Sequence, residues 1–308
     1  MRKIVALIIT LSIALTMFTA CSRPNSDNGK IQVMTTIFPV YDWVCNILAG
    51  DDDFEISLLC DNGIDMHSYQ PTAEDIVNIS TCDVFIYVGG ESDEWVDEVL
   101  ANKRNQDMVV VNLLDVMGHL ALPEDDDEPD EYDEHIWMSL VNASYVCTYL
   151  TEQVFSGLSS DPDKIRDNST AYIYEFERLY TTYTPLITNA SHSAFVVGDR
   201  YPFRYLSNDF GLTYYAAFDG CSAETEASFE TVVNLADRLN EIGTSCVVVT
   251  ESSDGNIADA IIEVAGINDA TIVVLNSLQS VSRDEINSGV TYISLMEENF
   301  EVLVTVLG

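Results

Sequence analysis

Short apolar runs alternate with stretches of helical spacing along the first third of the chain. Residues 31–36, 55–60, 84–88 and 108–112 are compact and rich in Val and Ile, as buried strands are. Between them, residues 41–48, 72–79 and 95–101 carry the spacing of amphipathic helices. Pro71-Thr72-Ala73-Glu74-Asp75 marks a helix start, with acidic residues where the positive end of the helix dipole favours them. Such alternation predicts a parallel sheet covered by helices on both faces. The pattern returns later: 195–197, 212–216, 245–250 and 271–275 read as strands, and 229–242, 256–265 and 293–307 as helices. Between the halves, Asp161-Pro162 opens a stretch to about Thr188 without glycine and without proline before Pro185. There Ile165, Tyr172, Phe176, Leu179 and Tyr183 recur at roughly helical spacing, which predicts one long helix.

Two segments break the pattern. Residues 123–134 hold two prolines and nine carboxylates, a composition that cannot bury a face and predicts a mobile, solvated loop. At the start, Arg2 and Lys3 precede an apolar run over 4–18 and then Thr19-Ala20-Cys21. A charged start, a short apolar run and small residues before a cysteine are the pattern of an export signal ending in a lipid-attachment cysteine, Cys21. An ordinary secretory signal is the plainer alternative. No second long apolar segment follows, so the rest is expected to be anchored to a membrane rather than threaded through it.

The formal charge of −38 repels nucleic acid and gains nothing from anionic lipid; it attracts cations only diffusely and otherwise serves solubility. Apart from Cys21, the six cysteines (Cys45, Cys60, Cys82, Cys147, Cys221 and Cys246) form no Cys-x-x-Cys pair, which argues against a thiolate zinc knuckle. Several sit among apolar residues as small hydrophobes. Buried free thiols are the main expectation, with one or two disulfides left open.

Only four histidines occur, and two have telling surroundings: Asp65-Met66-His67-Ser68-Tyr69-Gln70-Pro71-Thr72 and Asp133-Glu134-His135-Ile136-Trp137. A neutral imidazole supplies a metal bond, and nearby carboxylates supply charge and orient the ring. His119 and His192 lack such neighbours. The two segments resemble those of the metal-binding lipoproteins of bacterial zinc and manganese ABC importers. The resemblance extends over about 31–307. It implies an α/β fold of two lobes, each a parallel sheet flanked by helices, joined by one long rigid helix that limits closure. The corresponding division is 1–20 signal, 21–30 tether, 31–160 first lobe, 161–190 linking helix and 191–308 second lobe.

By that resemblance His67 and His135 are the first two metal ligands. The third position, a His or Glu in the family, holds Arg200 here, within Arg200-Tyr201-Pro202-Phe203-Arg204-Tyr205-Leu206. A guanidinium cannot bind a cation. Arg200 is therefore expected to turn toward an acid such as Glu224 or Glu226, leaving Asp199 as an oxygen donor. The fourth position, commonly Asp, holds Asn276, and Glu251 at the end of its strand is the candidate to fill the gap. Tyr201, Phe203 and Tyr205 are expected to pack in the core.

Two imidazoles with one or two oxygens favour zinc; manganese or iron(II) would want more oxygen, and nickel and copper also bind imidazole. The resulting expectation is an extracytoplasmic, lipid-anchored monomer. It captures a divalent metal in the cleft between the lobes and delivers it to an ABC permease, with affinity falling as pH drops through about 6.5. The competing expectation is a remodelled adhesion or solute-binding lipoprotein that takes an anionic or chelated ligand instead of a bare metal. An enzyme is not expected: there is no His-Glu-x-x-His, nucleophile elbow or two-metal carboxylate series.

Overall fold

The computed structural model describes residues 29–125, 128–218, 220 and 227–308. Strands β1 (Ile31–Thr35), β2 (Phe54–Leu58), β3 (Val84–Tyr87) and β4 (Val109–Asn112) form a parallel sheet in the order β2-β1-β3-β4. Its central strand β3 is buried along its whole length, so an unbroken Val-Phe-Ile-Tyr run is what the position demands. The helices Phe38–Ile47, Ala73–Thr81 and Trp95–Ala101 follow the spacing read from sequence. Thr72 caps the second of these reciprocally with Asp75, which explains its sharp start.

The acidic segment is not the expected loop. β5 (Pro123–Asp125) and β6 (Glu128–Tyr132) pair as an antiparallel hairpin. A ladder satisfies backbone groups without requiring a buried face, so solvated carboxylates do not forbid it. Its base is tied down. The Asp133 N–H donates to the Leu122 carbonyl at 2.9 Å. Tyr205 Oη accepts from the Leu122 N–H at 3.0 Å and donates to the Asp133 carbonyl at 2.9 Å.

Beyond Leu140–Tyr149, a helix the apolar pattern had not singled out, the linking helix runs from Pro162 to Thr188. Asp161 caps its first turn, and Ile165, Tyr172, Phe176, Leu179, Tyr183 and Ile187 form its buried stripe. Then β7 (Ala194–Val197), β8 (Thr213–Ala216), β9 (Cys246–Val249) and β10 (Thr271–Val274) form a second parallel sheet in the order β10-β9-β7-β8. The helices Phe229–Ile242 and Asn256–Ala265 match their expected bounds, and Tyr292–Leu307 closes the chain. Two parallel sheets flanked by helices are thus the architecture the sequence implied.

One apolar core runs through both halves. At its centre Tyr292 meets the Trp43 ring edge-on at 5.3 Å and the Phe176 ring at 5.5 Å, and its hydroxyl donates to the Trp137 carbonyl at 2.6 Å. Tyr201, Phe203 and Tyr205 are buried core residues, as expected. Among the described residues the five cysteines are free thiols, four of them buried, and burial pushes Cys45, Cys60, Cys82 and Cys147 up from their ordinary range. No described helix is long and apolar enough to cross a membrane. The leader with Cys21, and Cys221, Glu224 and Glu226, lie outside the described residues.

Candidate metal centre

The carboxyl ends of the strands gather the candidate residues, as parallel sheets do. The segment after β2 carries His67 in a short 3-10 turn, Met66–Ser68, capped by the Asp65 carboxylate, which accepts from the His67 N–H at 2.9 Å. His135 follows β6. The two Nε2 atoms lie 3.3 Å apart although 68 residues separate them in sequence.

Each ring is held from its far side. Asp133 Oδ1 lies 2.9 Å from His135 Nδ1 and also accepts the His135 N–H at 2.8 Å. An ionised carboxylate only accepts, so His135 carries its proton on Nδ1 and directs the Nε2 lone pair at His67. Trp137 packs against the His135 ring edge-on, with centroids 5.1 Å apart. On the other ring, Nδ1 of His67 is hydrogen-bonded with the Ser92 hydroxyl and lies 3.6 Å from Glu134 Oε2.

Glu134 is the unusual member. Its Oε1 accepts from the Ser92 N–H at 2.9 Å, while its Oε2 is buried and has no hydrogen-bond partner among the described residues. Burial raises its pKa to about 7. Room for it exists only because residue 90 is glycine: a Cβ there would stand 2.2 Å from Glu134 Oε1. Burial, with the charges of His135 and Arg200 adding to it, lowers His67 to about 4. The loss of affinity expected near pH 6.5 is thereby moved downward for this ring.

The other candidates are committed elsewhere. Asp199 accepts from the Arg200 N–H at 2.8 Å and from the Thr250 N–H at 3.1 Å, and the Thr250 hydroxyl also donates to it. Glu251 accepts from the Ser277 N–H at 2.8 Å and the Ser277 hydroxyl at 2.6 Å, and burial raises its pKa. Asn276 shapes the adjacent turn, its Oδ1 accepting from the Leu278 N–H at 2.7 Å. Arg200 faces Asp65 at 4.0 Å. Among the described residues, no three His, Cys, Asp or Glu side chains converge as a metal cage. The geometry therefore brings His67 and His135 together and leaves Asp199 and Glu251 engaged in their own loops. Asp65 Oδ1, which accepts the His67 N–H, also lies 4.0 Å from His67 Nε2. Ser92 had no sequence signal: a serine in Glu91–Asp93 is unremarkable until the fold sets it behind His67.

Residues 33–306 match the model of the ZnuA family, the periplasmic component A of a zinc-uptake complex. The chain belongs to this family. It is similar to zinc-binding lipoprotein AdcA of Streptococcus pneumoniae, 28% identical over 98% of this chain and 60% of the relative. It is also similar to the high-affinity zinc uptake system protein ZnuA of Bacillus subtilis, 26% identical over 91% of this chain and 88% of that one. The chain thus spans about 60% of the length of the AdcA relatives. Among solved structures, the metal-dependent lipoprotein YcdH of Bacillus subtilis superposes with a TM-score of 0.76 at 25% identity, covering 91% of this chain and 100% of that one. The Zn(II)-bound ZnuA-like domain of Streptococcus pneumoniae AdcA gives 0.74 at 24%, covering 91% and 99%, a likeness of fold.

Proposed function

We propose that this chain captures a divalent metal ion, zinc foremost, between His67 and His135 and hands it to the permease of an ABC importer. The observation that carries this is the pair of Nε2 atoms 3.3 Å apart. Zn–N bonds of about 2.0–2.1 Å in tetrahedral geometry require an N···N edge of roughly 3.3–3.4 Å, so one cation fits both lone pairs.

The orphan Glu134 Oε2 fits the same reading. When His67 turns its Nε2 lone pair to a cation, its proton resides on Nδ1, which Glu134 Oε2 faces at 3.6 Å. The metal's charge also offsets the cost of an ionised, buried Glu134. Asp65 supplies an oxygen with the least rearrangement. Glu251 and Asp199 would first have to leave Ser277 and Thr250. A nitrogen pair with few oxygens favours zinc over manganese or iron(II).

The zinc-binding and zinc-uptake names of the relatives support the cargo, and the lipoprotein name supports an extracytoplasmic chain anchored through Cys21. They do not favour the remodelled adhesion or anion-binding alternative. Capture, holding and release need no bond chemistry, so a carrier of this kind requires no catalytic group.

The test is elemental analysis of the purified protein after chelation and zinc reloading, beside His67→Ala and His135→Ala. About one zinc per chain is expected, reduced to near zero in both variants. Full occupancy in either variant would overturn the two-histidine site.

A further inference from the structure

Both imidazoles belong to the first half of the chain, yet neither of their loops is held by that half alone. The segment 276–283, which follows strand β10 in the second half, bonds to both. Its Ser277 carbonyl accepts from Trp137 Nε1 at 2.8 Å across 140 residues of sequence, and the Trp137 ring packs edge-on against His135. At its other end the Arg283 N–H donates to the Asp61 carbonyl at 2.6 Å, and the Arg283 guanidinium donates to the Asp61 carboxylate at 2.9 Å. Ser282 forms an antiparallel bridge with Asn62, which fixes the register of this contact just ahead of the His67 turn.

The segment is itself held firmly. Asn299 grips the backbone of Asn276, accepting from its N–H at 2.7 Å and donating to its carbonyl at 2.8 Å. Glu251 accepts from the N–H and the hydroxyl of Ser277 at 2.8 and 2.6 Å. Next in line, Leu278 is fully buried with φ of +63°, and among the described residues it is the one non-glycine with positive φ. A leucine stays in that region only where the surrounding contacts outweigh the strain, and such residues cluster at functional sites.

A site for one cation needs its donors held within about 0.5 Å, and loops hold them less precisely than the scaffold does. We propose that segment 276–283 is the positioning element of the metal pair. Through Ser277 it sets His135, through Arg283 it sets His67, and the metal leaves when this hold is broken. The inference rests on the metal-capture reading above. It gives Glu251, Ser277 and Arg283 a positioning role in place of a bond to the metal. Arg283 and Asp61 are half-buried, so their attraction adds only modestly to the backbone contacts, and reversing one charge is the way to open the hold.

The experiment measures zinc release from the full chain into excess chelator by stopped flow. It compares the unaltered protein with Arg283→Glu, with the exchange Asp61→Arg plus Arg283→Glu, and with Leu239→Ala. Leu239 is buried in the helix Phe229–Ile242, in a separate apolar cluster from the one that holds Trp137, and controls for lost stability. Arg283→Glu should speed release about tenfold. The change makes the chain more negative, which on charge alone would hold a cation more tightly, so faster release reports lost positioning. The exchange re-forms the pair and should return release to within about twofold of the unaltered rate, while Leu239→Ala should leave it unchanged. Unchanged release in Arg283→Glu, no restoration by the exchange, or equal acceleration in Leu239→Ala would each overturn the positioning role while metal capture stands. An unaltered chain that takes up no zinc would overturn metal capture first, and the positioning role with it.

Discussion

At the scale of single residues, the chemistry of the pair is set by what stands behind each ring. Asp133 fixes the tautomer of His135, and Ser92 with Glu134 backs His67. The two buried titrating groups oppose each other in pH dependence. His67 is lowered from 6.5 to about 4, so the unfolded chain binds a proton the folded one refuses, and stability is lost as pH falls through that window. Glu134 is raised from 4.5 to about 7, so the folded chain holds the extra proton, and stability is gained as pH falls from about 7 toward 4.5. A cation between the rings favours ionised Glu134. Zinc binding near pH 6 should therefore release a proton from Glu134 and little from His67. Calorimetric titration in buffers of different ionisation enthalpy should report release approaching about one proton, and much less in Glu134→Gln. Undiminished release in the variant would place the proton on an imidazole. The sequence made His67 and His135 legible as a pair because each has acids at fixed short offsets. Which acid serves which nitrogen was not legible, since that depends on ring orientation.

At the scale of elements, the strands, the linking helix and the helices Phe229–Ile242 and Asn256–Ala265 were readable because their signals are periodic and local. The hairpin β5–β6 was not, because its stability comes from backbone pairing and from Tyr205, which is distant in sequence. Nor was the turn around Gly89 and Gly90, where close approach and not composition matters. Gly90 has φ of +80°, and a side chain there would both strain the backbone and collide with Glu134. Gly90→Ala should cost about 2–3 kcal/mol in chemical denaturation and weaken zinc binding by displacing the carboxylate. A loss below about 0.5 kcal/mol would mean that Glu134 turns aside freely.

For the whole molecule, the two sheets share one core, and the linking helix packs on elements of both halves, including Phe38–Ile47 and Tyr292–Leu307. Tyr292 sits at the seam with its ring between Trp43 and Phe176. Tyr292→Ala should cost about 3–5 kcal/mol, and unfolding should remain a single cooperative transition. Two separated transitions, by fluorescence and circular dichroism, would show that the halves fold independently. The interlobe clasp is extended by Arg283, whose guanidinium holds Asp61 at 2.9 Å just before the His67 loop.

Apolar runs and helical spacing determined, by themselves, the strands of the two parallel sheets and the helices packed on them, though not the hairpin β5–β6, Leu140–Tyr149 or the shorter helices, because those signals are written in neighbouring positions. Sequence context also singled out His67 and His135 as the candidates for a cation. Tertiary structure alone decided that their Nε2 atoms stand 3.3 Å apart, that Arg200 faces Asp65, and that Asp199 and Glu251 are held by Thr250 and Ser277. Those distances follow from how loops at the ends of separate strands meet. Local spacing carries no term for that meeting.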